Sequence, residues 1–193
     1  GRTGELAPGG SLLLIANGDC EEGTLWAYDP ASGELTLLAG EQAPEGPRFE
    51  GLAQRTGSES DFLARAGEGD RLELWNTDGR PEGTVSLVGL PEYATSVMRA
   101  GATRFFVASG IAVWRPGNAA LRPVQIGSFW WFDPVGTVGE LGLFHAGAFT
   151  NDPTSLIAVD GEGRAEFVAN FEEGVWFRAF QPLGDRALLR FVR

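Results

Sequence analysis

The chain has 193 residues, 43% of them hydrophobic and 21% charged, with 28 Gly and 11 Pro; that is enough to bury a core, as one domain or as a short repeat array. A net charge of −11 repels nucleic-acid backbones and anionic membranes, so neither is expected as a partner. No apolar run approaches the ~18 residues a spanning helix needs and no signal-peptide pattern is present, so a soluble chain without membrane insertion is expected.

Helical periodicity is missing, and short apolar runs cut by Gly, Asp, Asn and Pro take its place, which is the pattern of an all-β chain. The first predicted strand is Ser11 to Ala16, followed by the polar turn Asn17 to Gly23, the strand Thr24 to Tyr28, an Asp29–Gly33 turn and the strand Glu34 to Ala39. A Pro- and Glu-rich linker over 40–48 leads to a second unit, with strands near 49–55, 61–66, 71–75 and 84–90. A third unit is predicted at 95–100, 104–108, 111–114 and 121–126, and a fourth at 129–132, 141–146, 155–159 and 165–169. Strands near 175–180 and 187–192 complete the chain.

Superposing the hairpins puts Trp26, Trp75, Trp114 and Ile157 in one column, at intervals of 49, 39 and 43 residues. About four strands per repeat at that period is the spacing of β-propeller blades. A lone four-stranded sheet leaves two faces open, and radial stacking buries both, with the Trp/Ile column as repeat core between neighbours. The expectation is a single domain over 1–193, a small or partial β-propeller of about four antiparallel four-stranded blades. Its repeat units are 11–40, 49–90, 93–127, 129–171 and 175–193. A single β-sandwich with coincidental spacing is the competing architecture.

The stretch Glu73-Leu74-Trp75-Asn76-Thr77-Asp78-Gly79, with Gly83-Thr84 behind it, resembles the ELWxxDGT repeat of large secreted or surface-attached bacterial proteins. Arg80 replaces the usual Thr, the first unit matches partially through Thr24-Leu25-Trp26-Ala27-Tyr28-Asp29, and the third and fourth are degenerate. The resemblance implies a propeller fold and an extracellular or cell-surface location. It brings no catalytic residues.

The phase of the repeats predicts half-blades at both termini, because 1–10 offers no good innermost strand and the last unit lacks its tryptophan hairpin. Unpaired strand edges invite pairing. Either the two ends meet in one composite blade, or each adds to another subunit or to the rest of a larger protein.

Residues that could carry chemistry are few. His145 is the only histidine, and a lone His in an apolar strand reads as a structural residue rather than a catalytic one. Cys20 is the only cysteine, which rules out an intrachain disulfide and a cysteine metal cage; it sits among carboxylates that raise a thiol's pKa. Asp19 with Glu21, and Asp160 with Glu162, are the metal candidates, calcium being the ion that oxygen-rich turns would take. The same residues are also ordinary hairpin-turn chemistry. Trp130 and Trp131 alternate across a strand, so both can be core, or one can stand on a rim as a platform for a glycan or peptide.

These readings converge on a non-enzymatic binding or assembly module with a protein partner or self-association and no cofactor. The alternatives are a lectin-like propeller that binds carbohydrate or peptide, and a hydrolase with carboxylates in its funnel.

Overall fold

Alternating apolar residues broken at short intervals by turn formers can bury one face only as strands. The computed structural model describes residues 3–6, 12–17, 23–39, 48–56, 59–66, 71–94, 96–148, 153–183 and 186–193, with side chains from Leu25 in the first sheet and from Ser60 in the second. It divides into two compact units, Gly1–Glu92 and Tyr93–Arg193.

The first unit holds two antiparallel four-stranded meanders. One is β1 (Thr3–Leu6), β2 (Leu12–Asn17), β3 (Gly23–Asp29) and β4 (Glu34–Ala39). The other is β5 (Arg48–Thr56), β6 (Glu59–Ala66), β7 (Arg71–Thr77) and β8 (Val85–Gly89). A single pairing, Gly23 with Phe49, links them. The second unit repeats the meander as β9 (Ser96–Ala100), β10 (Thr103–Val107), β11 (Ile111–Trp114) and β12 (Arg122–Pro123), then as β13 (Trp131–Val138), β14 (Leu141–Gly147), β15 (Thr154–Val159) and β16 (Ala165–Phe171). It ends in the two-stranded hairpin β17 (Trp176–Leu183) and β18 (Arg186–Val192).

One expectation is corrected at the N-terminus. The first sheet is not a half-blade, because Thr3–Leu6 pairs antiparallel with β2, Thr3 opposite Ile15 and Leu6 opposite Leu12. Thr-Gly-Glu-Leu carries no apolar alternation, and backbone pairing, which leaves no trace in side-chain pattern, makes the strand. Two boundaries also move. The strand expected at 121–126 shrinks to Arg122–Pro123, since proline has no N–H to donate to a ladder. The strand expected at 129–132 begins at Trp131 and runs through Pro134, which sits at a register shift between Pro134 and Gly136.

The four column residues Trp26, Trp75, Trp114 and Ile157 all fall on the third strand of a meander, on β3, β7, β11 and β15. In three sheets a β-bulge lies beside the column residue, at Leu25/Trp26, Leu74/Trp75 and Leu156/Ile157. The fourth strand there carries one extra residue, Leu38, Leu87 or Val168, which twists the outer edge away at a repeated position. Within the first unit, Leu25 and Ala27 pack against Phe62 and Ala64, with half-buried Trp75 stacked on Phe62 at 6.2 Å. Within the second, Phe105, Val107 and Val113 pack against Phe144, Ile157 and Val159. The other face of that fourth sheet buries Leu143, Leu156 and Ala158 against Phe177, Phe180 and Leu189 of the hairpin. Adjacent residues Leu156 and Ile157 therefore serve different cores, as strand alternation requires. Trp75 and Ile157 each face the preceding sheet of their own unit.

The hairpin comes closest at Gly136 (φ 154°), where an added Cβ would lie 2.5 Å from the Phe180 ring. The motif turn after β7 needs Gly79 at φ 93°, and is laced by Thr77 Oγ1 to Thr84 Oγ1 at 2.8 Å and by the Arg80 N–H donating to Asp78 Oδ1 at 2.9 Å.

Candidate functional site

Two places in the second unit present unspent chemistry. The first is the terminal hairpin. Every other meander has four strands, whereas β18 has a partner on one side only among the described residues. Register puts Leu188 opposite Gln181 and Leu183 opposite Arg186, on the face turned away from Phe180 and Leu189. Leu183 and Leu188 are 55% and 60% exposed. Residues 1–92 hold seventeen carboxylates and six arginines, and residues 93–193 hold nine of each. All the net negative charge belongs to the first unit, and the hairpin strands place Arg178, Arg186 and Arg190 within a half that is balanced as a whole.

The second place is a groove of about 530 Å³ between the turn that follows β11 and the turn that follows β15. Trp114 organises its wall. The indole is buried, carries Arg104 over its ring at 5.7 Å and donates its N–H to the Asn118 carbonyl at 3.0 Å. That bond closes the loop that presents Arg115, Pro116 and Asn118. Across the groove, Glu162 accepts from Arg115 Nη1 at 2.6 Å and faces Arg122 Nη1 at 3.5 Å.

The turn beside it also accounts for Asp160. Its carboxylate accepts the Glu162 and Arg164 N–H groups, both at 2.9 Å, and Arg164 Nε at 2.7 Å. Desolvation pushes its pKa up, but those hydrogen bonds and the Arg164 charge outweigh it and hold the pKa below the usual carboxylate value. Asp160 and Glu162 thus serve a turn and three arginines, and among the described residues no three His, Cys, Asp or Glu gather to hold a metal. Asp19, Glu21 and Cys20 lie outside the described residues.

His145 is buried, with Nε2 2.8 Å from Thr154 Oγ1, which donates to the Val175 carbonyl at 3.4 Å. Trp131, Phe171 and Phe191 surround the ring edge-on at 5.1–6.3 Å. Burial lowers the His145 pKa, opposed by the charge of Asp133, its cross-strand partner. The two aromatics of the Trp130–Trp131 pair part company: Trp131 stacks on Trp176 at 6.2 Å, and Trp130 is 76% exposed. The sequence reading missed Arg115 and Arg122. The signal available was the third unit's departure from the Asp turn, with Gly117 where the other units have Asp.

No family model and no curated protein matches the chain. Among solved structures it is similar to a prolyl endopeptidase (TM-score 0.62, 15% identity, over 93% of this chain and 28% of that one). It is also similar to an oligogalacturonate lyase solved with manganese (0.60, 10%, 87% and 52%) and to oligopeptidase B from Leishmania major (0.60, 14%, 93% and 29%). The chain spans about half or less of the length of these structures. At such identities the likeness is one of fold: antiparallel all-β sheets of propeller type.

Proposed function

We propose that the chain is a non-enzymatic binding and assembly module, a small or partial β-propeller of about four blades with a C-terminal half-blade, acting outside the cell. The observation that carries this reading is the two-stranded β17–β18 sheet, in which, among the described residues, β18 has no second partner strand and Leu183 and Leu188 stand exposed, beside meanders of four strands. An unpaired strand edge supplies main-chain hydrogen bonds to any strand that joins it, and the exposed leucines supply apolar area. Arg178 and Arg190 on the same hairpin favour an acidic partner, and the first unit of a second copy has that charge. The extracellular location rests on the ELWxxDGT resemblance alone.

Light scattering after size exclusion, from about 1 to 300 µM, tests self-association. The expected result is a mass that rises with concentration in the wild type and stays monomeric in Leu188→Glu, with unchanged thermal unfolding. A strict monomer throughout overturns self-association. A second reading, glycan binding on a rim aromatic, is favoured by the exposure of Trp130; a glycan array with no wild-type signal beyond that of Trp130→Ala removes it.

A further inference from the structure

We propose that the groove formed by Arg115, Arg122 and Glu162 binds the carboxylate of a small ligand. Each guanidinium carries five N–H donors in a planar fork; Arg115 donates one of its own to Glu162, and Arg122 approaches the same carboxylate at 3.5 Å. Two cations share one anion, so the cluster keeps one uncompensated positive charge, which a single carboxylate balances. Arginine is the side chain whose geometry meets a carboxylate through two parallel hydrogen bonds.

The Glu162 contacts preorganise the site without blocking it. Arg115, Glu162 and Arg122 side chains are 42%, 53% and 62% exposed, and ion pairs that open to water are weak enough for a ligand to compete. Glu162 is fixed by its place in the Asp160 turn, where its own N–H donates to Asp160 Oδ1 at 2.9 Å. Gly161 leaves the space: a Cβ there would lie 2.9 Å from Thr103 Oγ1 and 3.2 Å from Arg115 Cζ. Val113, Pro116 and Ala120 give the groove an apolar flank, suited to the body of a ligand whose acid group sits on the arginines. A peptide C-terminus and a sugar acid share this chemistry.

Titration followed by the arginine Nε–H and Trp114 indole N–H resonances tests the site. The probes are acetyl-trialanine and its amide, and glucuronate and glucose, all at constant ionic strength. Binding of an acid form with saturation, and silence from its neutral counterpart, is the expected result; which acid binds more tightly identifies the source. Arg115→Gln should weaken binding about tenfold or more, since it removes a charge-assisted pair. Glu162→Gln should tighten it about tenfold, since it removes the competing anion while conserving shape. Equal shifts with acid and neutral forms, or weaker binding in Glu162→Gln, overturn the proposal. So does the absence of saturable binding by either acid to both the wild type and Glu162→Gln. These are surface substitutions, and the read-out does not depend on the oligomeric state, so failure here leaves the assembly reading standing.

Discussion

Truncating the column residues tests the packing directly, because burial and size make opposite rankings. Ile157 is fully buried between Phe144, Phe105 and their neighbours, so Ile157→Ala loses its transfer free energy and leaves a cavity, about 3–4 kcal/mol. Trp75 is larger but half-buried, and its buried indole N–H has no partner among the described residues. A fully buried Trp truncated to Ala costs roughly 3–5 kcal/mol; partial exposure lowers that to about 2–4, and releasing an unsatisfied donor returns about 1. The net cost of Trp75→Ala is therefore about 2 kcal/mol, less than for the smaller isoleucine. Trp75→Phe keeps a ring against Phe62 and discards the orphaned donor, so it should lie within about 1 kcal/mol of wild type. Urea unfolding with an unchanged m-value measures all three. A larger loss for Trp75→Ala than for Ile157→Ala, or less than about 1 kcal/mol at Ile157, refutes the reasoning.

Two further outcomes follow from the second unit. His145 is held neutral by burial, its folded-state pKa lying below the ordinary histidine value of 6.5. Protons then bind the unfolded chain more readily, so stability is full above about pH 6.5 and falls as the pH drops toward the depressed folded value. In His145→Gln that portion of the slope should disappear, as followed by thermal unfolding between pH 7 and 5; an unaltered slope would assign it to carboxylates. Gly136→Ala forces Phe180 away and strains the backbone, and a loss of about 2 kcal/mol or more is expected from overpacking. A neutral result would show that the hairpin does not seat against β13.

How much was legible can be argued from single elements. The strands of the second unit and the third-strand position of Trp26, Trp75, Trp114 and Ile157 were readable, because turn formers and period-two alternation are local signals that survive in sequence. Thr3–Leu6 was not readable. Its pairing uses backbone groups that every residue has, and the apolar partner strand supplies the template. The exposed half of the Trp130–Trp131 pair could not be told from the buried half, since alternation says that they part and not which one meets Trp176. Asp160 and Glu162 looked like oxygen ligands by type and spacing, and in the structure their carboxylates accept from the turn and meet three arginines.

The sequence by itself determined an all-β chain of repeated meanders and its recurrent hairpin, because strand and turn propensities act over a few residues. Only the tertiary structure decided that Thr3–Leu6 completes the N-terminal meander to four strands. It alone brought Arg115 and Arg122 onto Glu162, from turns some forty residues apart. Such pairings depend on which sheet faces which, and that is set by the sum of buried area over whole faces rather than by any local signal.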